Sequence, residues 1–135
     1  MQLLDHGLIT VKSLDAAKPF YRAIMHVLGA ELGYDEVDVI GFRERNKSVS
    51  DRGSYVSIFE SEQASVDSRR HWCFRARSIS QVDEFHTLGL SSGGSDAGPP
   101  WLRDYDAGCY AAFLYDPEGN KIEAVFHCAK KFVYI

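Results

Sequence analysis

Two histidines and one glutamate carry the chemistry this sequence is equipped to do. His6 and His71 each open a stretch rich in β-branched and apolar residues, and Glu123 lies inside the apolar run Lys121-Ile122-Glu123-Ala124-Val125-Phe126. A carboxylate in such a strand is costly without a partner. On a strand, Glu123 shares a face with Val125 and His127, whereas Ile122, Ala124 and Phe126 occupy the other. One face is thereby free to line a cavity while its opposite packs. Two imidazoles and a carboxylate on rigid strands make a three-ligand metal site of the open type, with positions left for water or substrate, suited to iron, manganese, nickel or zinc. Such a metal acts as a Lewis acid on substrate oxygens. Glu123 and Tyr110 are the candidate catalytic groups, with Tyr105, His86 and His127 as further proton carriers or substrate contacts. Each alone has a plainer explanation, because a single histidine near a strand start is usually a surface or satisfied residue and an acid after a turn is usually solvated.

The elements that would position these groups come in two matching sets. Leu3 to Val11 reads as a strand ending at Lys12-Ser13, after which Phe20, Ile24, Val27 and Leu28 fall on one helical face and Gly29 supplies a stop. Three short apolar stretches follow at Glu31 to Tyr34, Val37 to Phe42 and Tyr55 to Phe59. The order returns with a strand at His71 to Ala76, a helix at Ser80 to Leu90 and strands at Tyr110 to Tyr115 and Lys121 to His127. His6 and His71, Ser13 and Ser78, Phe20 and Phe85, and Gly29 and Gly94 are all separated by 65 residues. A repeated strand-helix-strand-strand-strand unit buries its sheet only against its twin. The expectation is an α+β fold: one domain over residues 1–135, made of βαβββ modules at 1–62 and 68–130 in tandem.

Two connections bear on the site. Asp116-Pro117-Glu118-Gly119-Asn120 is a strong turn signal, since proline presets one φ and glycine supplies a positive one. It joins two strands as a hairpin and delivers Glu123. The segment Gly94 to Trp101, with two prolines and two glycines, reads as an edge strand or a loop. As the rim of a pocket it would bring Trp101, Arg103 and Tyr105 to a ligand; as a surface loop it would merely be anchored by Trp101.

Composition narrows the partners. A formal charge of −4 with acids and bases scattered along the chain offers no basic stripe for phosphates, which argues against nucleic acid. The N-terminal residues lack a charged-then-apolar leader, and no apolar run approaches the roughly 20 residues needed to span a bilayer, so a cytoplasmic protein without a membrane partner is expected. Cys73, Cys109 and Cys128 are odd in number and lack CxxC spacing, which argues for reduced thiols.

The run Asp5-His6-Gly7-Leu8-Ile9-Thr10-Val11 with Phe20-Tyr21, the histidine opening the second half, and Asp116-Pro117-Glu118-Gly119-Asn120-Lys121-Ile122-Glu123 resemble the glyoxalase, bleomycin-resistance and extradiol-dioxygenase superfamily, the vicinal oxygen chelate group. The resemblance implies modules whose mixed or antiparallel strands curve into a cup with the helices outside, and a divalent metal held by His6, His71 and Glu123. It implies a metal-dependent lyase, dioxygenase or transferase that chelates a small oxygen-rich substrate; the alternative is a metal-free drug-binding protein of the bleomycin-resistance type. Glyoxalases carry a fourth ligand on the last strand of the first half, where this chain has Ser57, a poor ligand and no base, leaving Ser57 as a substrate contact. The family commonly forms homodimers, and the tail Phe132-Val133-Tyr134-Ile135 is suited to cover a sheet edge or a partner.

Overall fold

A computed structural model describes residues 3–45, 53–103 and 109–128; Tyr105 and the tail at 132–135 lie outside the described residues. The elements run β1 (His6–Val11), α1 (Leu14–Val27), β2 (Glu31–Asp35), β3 (Val39–Arg43), β4 (Tyr55–Glu60), β5 (His71–Arg75), α2 (Ile79–Ser91), β6 (Ser95–Arg103), β7 (Cys109–Tyr115) and β8 (Lys121–His127). This is βαβββ twice over, as the sequence predicts. Hydrogen bonding divides the strands into two four-stranded sheets, ordered β1-β4-β3-β2 and β5-β8-β7-β6. In each, the first strand runs parallel to the last and the remaining pairs are antiparallel.

Equivalent sequence signals build equivalent parts. Ser13 and Ser78 cap α1 and α2, accepting hydrogen bonds from Ala16 N at 3.2 Å and Gln81 N at 3.1 Å, which satisfies donors a helix start leaves open. The stops differ by one residue. Gly29 has φ of 83°, but after α2 the positive φ of 108° belongs to Gly93. Gly94 is needed for another reason: a Cβ there would stand 2.5 Å from Phe20 Cε1, so its bareness lets the first module's helix seat against the second module. The Gly94 to Trp101 segment is part of a nine-residue edge strand, β6, not a loop; its register shifts between Asp96 and Gly98 and again between Gly98 and Trp101, and the second irregularity accommodates Pro99 and Pro100.

Period-two alternation sorts each sheet into a packed and an open face. Ile9, Val11, Ile40, Phe42, Val56 and Ile58 of the first sheet share a single core with Phe20, Tyr21 and Ile24 of α1. Val82 and Phe85 of α2, with Ala112, Leu114, Ile122 and Ala124, belong to the same core. Each fully buried large side chain contributes roughly 1.5–3 kcal/mol. The helices also touch one another, so the modules are joined through their packed faces.

One polar network pins this junction. Asp116, 2% exposed, accepts from Glu118 N at 2.9 Å, Asn120 N at 2.8 Å and Asn120 Nδ2 at 2.9 Å. It also accepts from the Tyr21 hydroxyl of α1 at 2.7 Å. From the same turn, the Glu118 carboxylate accepts from Lys12 N. Removing the phenol hydrogen bond leaves a buried acceptor short of a partner, which costs about 1–3 kcal/mol. Tyr21→Phe should therefore lower the unfolding free energy by that amount, read as a lower denaturant midpoint at an unchanged m-value; an unaltered midpoint would show that the bond contributes nothing net.

Candidate metal and ligand site

The open face of the second sheet gathers the ionisable groups. Glu123 sits between Cys73 of β5 and Phe113 of β7 in register and is 5% exposed. His71, two residues before Cys73 and on the same face, brings Nε2 to 3.0 Å from Glu123 Oε1. Its ring meets Phe113 edge-on at 6.1 Å. Desolvation, and then the Glu123 carboxylate beside it, push the Cys73 thiol well above the ordinary thiol range, which favours the neutral thiol at this exposed position. Further along the face, Cys109 Sγ lies 3.2 Å from His127 Nδ1.

His6 does not join His71 and Glu123. It stacks on Tyr55, with ring centroids 4.7 Å apart, and its Nδ1 is 2.7 Å from Asp5 Oδ2. Among the described residues no three His, Cys, Asp or Glu side chains converge as a metal-ligand set. The expected triad is thus assembled only as a pair within one chain. The pair fits a metal in chemistry, an imidazole nitrogen and a carboxylate oxygen on adjacent strands.

Ser57 occupies the first-module counterpart of Glu123: Ser57 pairs with Leu8, and Glu123 with Cys73, Leu8 and Cys73 being 65 residues apart like their histidines. Ser57 is buried and its Oγ is hydrogen-bonded to the Tyr34 hydroxyl. The Tyr34 ring lies flat on Gly41, where a Cβ would stand 2.4 Å from Tyr34 Cζ. The glutamate position of one module has become a neutral hydroxyl pair in the other.

Tyr110 is corrected by its strand parity. It pairs with Phe126, on the packed face, while Ala111 and Phe113 share the face of Glu123. Its hydroxyl donates to Asp83 Oδ1 of α2 at 2.6 Å, and that bond raises its pKa to about 12. Tyr110 therefore does not reach the His71–Glu123 pair. His86 is likewise engaged, 2.8 Å from Asp96 Oδ1, and holds that carboxyl below its usual range. Trp101, opposite Ala111 in register, stands 69% exposed. Arg103 places its guanidinium 5.2 Å from the Phe113 ring centroid. Lys121 Nζ is 4.7 Å from the same centroid. Lys121, Phe113 and Tyr34 went unselected in the sequence, although period-two alternation already put Lys121 on the face of Glu123.

Between the modules lies a cavity of about 710 Å³, bordered by His6, Tyr55, Met25, Trp72, Phe74 and Arg75 among others. Gly7 borders it too, and its lack of a side chain admits the Trp72 ring, which a Cβ would meet at 2.7 Å. No helix among the described residues is long and apolar enough to cross a membrane.

Paired βαβββ modules with an imidazole-carboxylate pair on an open sheet face define a glyoxalase-like fold. Residues 3–124 match the model of the Glyoxalase/Bleomycin resistance protein/Dioxygenase superfamily, and the chain belongs to that family. Among solved structures, a glyoxalase/bleomycin resistance protein from Albidiferax ferrireducens T118 is 29% identical with a TM-score of 0.77, over 91% of this chain and 97% of that one. A glyoxalase-related enzyme from Fulvimarina pelagi has 16% identity and a TM-score of 0.68, covering 93% and 88%. The genomically encoded fosfomycin resistance protein FosX from Listeria monocytogenes has 20% identity and a TM-score of 0.64, covering 93% of each chain. These last two share the fold. No curated protein matches the chain.

Burial, followed by the nearby Asp116 charge, raises the Tyr21 phenol well above the ordinary value as well. A raised folded-state pKa stabilises the protein fully below the unfolded value near 10, and that stabilisation is lost as pH rises through the folded value. Alkaline titration of phenolate absorbance should accordingly show Tyr21 and Tyr110 ionising late. Tyr110→Phe should delete one late step; loss of an early step instead would contradict the Asp83 contact.

Proposed function

We propose that this chain is a metal-dependent enzyme in which His71 and Glu123 hold a divalent ion, a second copy supplies His6, and the ion chelates a small oxygen-rich substrate. The observation that carries this reading is the 3.0 Å approach of His71 Nε2 to Glu123 Oε1 on a face where Glu123 is nearly buried. A bound ion would supply Lewis acidity toward substrate oxygens. The chain's own residues do the rest. Strands β5 and β8 hold the imidazole and carboxylate at a fixed spacing, Phe113 flanks the imidazole edge-on, and Glu123 is the group able to take up or return a proton beside the substrate. Iron, manganese, nickel and zinc all suit this donor set. The reaction then falls among lyase, dioxygenase and transferase chemistries, and a cytoplasmic homodimer is the form in which we expect it to work.

The position of His6 supports a copy-sharing site. It is on the open side of the first sheet, stacked on Tyr55, and a two-fold dimer that set one copy's first sheet against the other's second would bring it to the pair. The second reading, a metal-free binding protein, draws on the cavity of about 710 Å³ walled by Trp72, Phe74 and Tyr55, a size that suits a drug-like molecule.

Elemental analysis of protein purified without chelator tests the choice. We expect stoichiometric metal in the wild type and its loss in His6→Ala, His71→Ala and Glu123→Ala. Co-expressed His6→Ala and Glu123→Ala chains should regain metal, because each mixed dimer contains one site with all three ligands and about half the wild-type capacity. A wild type that stays metal-free after loading would sink the enzyme reading in favour of the binding protein. Metal retained in His6→Ala would remove the second copy from the site.

A further inference from the structure

We propose that the ligand of this site is a small organic anion, its oxyanion taken by Lys121 and Arg103 and its apolar body laid against Phe113 and Trp101. The inference rests on the proposed use of the His71–Glu123 pair and adds the substrate class. Two cations stand over a single aromatic ring, Lys121 Nζ at 4.7 Å and Arg103 Cζ at 5.2 Å from the Phe113 centroid. Two positive charges thus border one ring in a chain that is acidic as a whole, with a formal charge of −4. Neither cation forms an ion pair among the described residues. Arg103 Nη2 donates to the Pro99 and Ala111 carbonyls, which orient it without neutralising it. Its Nε is buried with no hydrogen-bond acceptor, and an unsatisfied buried donor is a feature that a ligand oxygen can relieve. Asp96 is hydrogen-bonded to His86 and to Gly98 N, and the Arg103 charge adds only the smallest contribution to holding its carboxyl below the usual range.

The place of this positive cluster ties it to the site. Phe113 is directly opposite Glu123 in register, and Lys121 is two residues ahead of Glu123 on the same face. Gly98 keeps the cluster open: a Cβ there would stand 3.1 Å from Phe113 Cδ1 and 3.5 Å from Arg103 Nη2. Trp101 offers an exposed flat surface on the same side of β6. A carboxylate and a phosphonate share the chemistry that two such cations recognise, the guanidinium favouring paired oxygens.

The test uses phenylphosphonate, benzoate and the neutral benzyl alcohol as probes, titrated into the full chain with and without loaded zinc, with binding followed by NMR line broadening. Both anions should bind at least about tenfold tighter than benzyl alcohol, and Lys121→Met should weaken them by about tenfold while leaving benzyl alcohol unchanged. Lys121→Arg should restore binding. The tighter anion identifies the oxyanion type. Wild-type protein that binds the anions no better than benzyl alcohol in either metal state, or anion binding indifferent to Lys121→Met in a variant that melts like wild type, overturns the proposal. Anion binding in protein that takes up no zinc would sustain the anion site while the metal reading alone failed.

Discussion

Everything at the site hangs from the buried carboxylate of Asp116. Its two oxygens hold the turn by accepting from Glu118 N, Asn120 N and Asn120 Nδ2, and reach across the module boundary to the Tyr21 hydroxyl. A buried charge is tolerated only when saturated with donors, and here saturation fixes two things together. The turn starts β8 at Lys121, so Glu123 comes to rest opposite Cys73 and beside His71. The phenol docks that turn onto α1, so the second module's hairpin cannot move without disturbing the first module's helix.

Duplication explains the architecture, and departures from it explain the chemistry. The parallel pairing of β1 with β4 and of β5 with β8 uses the same register in both halves, matching Leu8 to Ser57 and Cys73 to Glu123. Identical backbones therefore present different groups: a carboxylate with an imidazole in one sheet, a serine hydroxyl bonded to Tyr34 in the other. Burying a hydroxyl pair that satisfies itself is cheap, whereas a buried carboxylate invites a cation. The second sheet alone has kept the demanding group.

Much of this was legible in the sequence because it obeys local rules. Serine caps, the Asp116 to Asn120 turn and period-two alternation of Lys121 to His127 are short-range signals, and they delimit strands and helices and put Glu123 on an open face. The β6 strand was harder to read: Pro99 and Pro100 weigh against a strand, but an edge with shifted register accepts them. Gly94 looked like a helix stop because the 65-residue spacing paired it with Gly29, yet its role is steric room for Phe20, a long-range contact no spacing encodes. Tyr110 failed for a simpler reason, since its parity against Glu123 already assigned it to the packed face. The separation of His6 from His71 was beyond reach, because equivalence within a repeat says where residues sit in their modules and not how the modules face.

That distinction governs how the proposed site must work. The modules meet through helices and core, with Phe20, Gly89, Gly94 and Leu114 interlocked, and this junction spends the packed faces on each other while leaving both open faces available. His71, Glu123, Lys121 and Arg103 all lie on one open face, whereas His6, Ser57 and Tyr34 lie on the other. A ligand gripped by the charged face alone would be held on one side only and left to solvent on the other. Enclosure requires a second surface, and the first sheet's open face offers one, where His6 and Tyr55 lie in register with the Arg43–Glu31 ion pair. In a two-fold pair each copy would contribute one face of each kind, so two identical chains would close two sites without either chain folding back on itself.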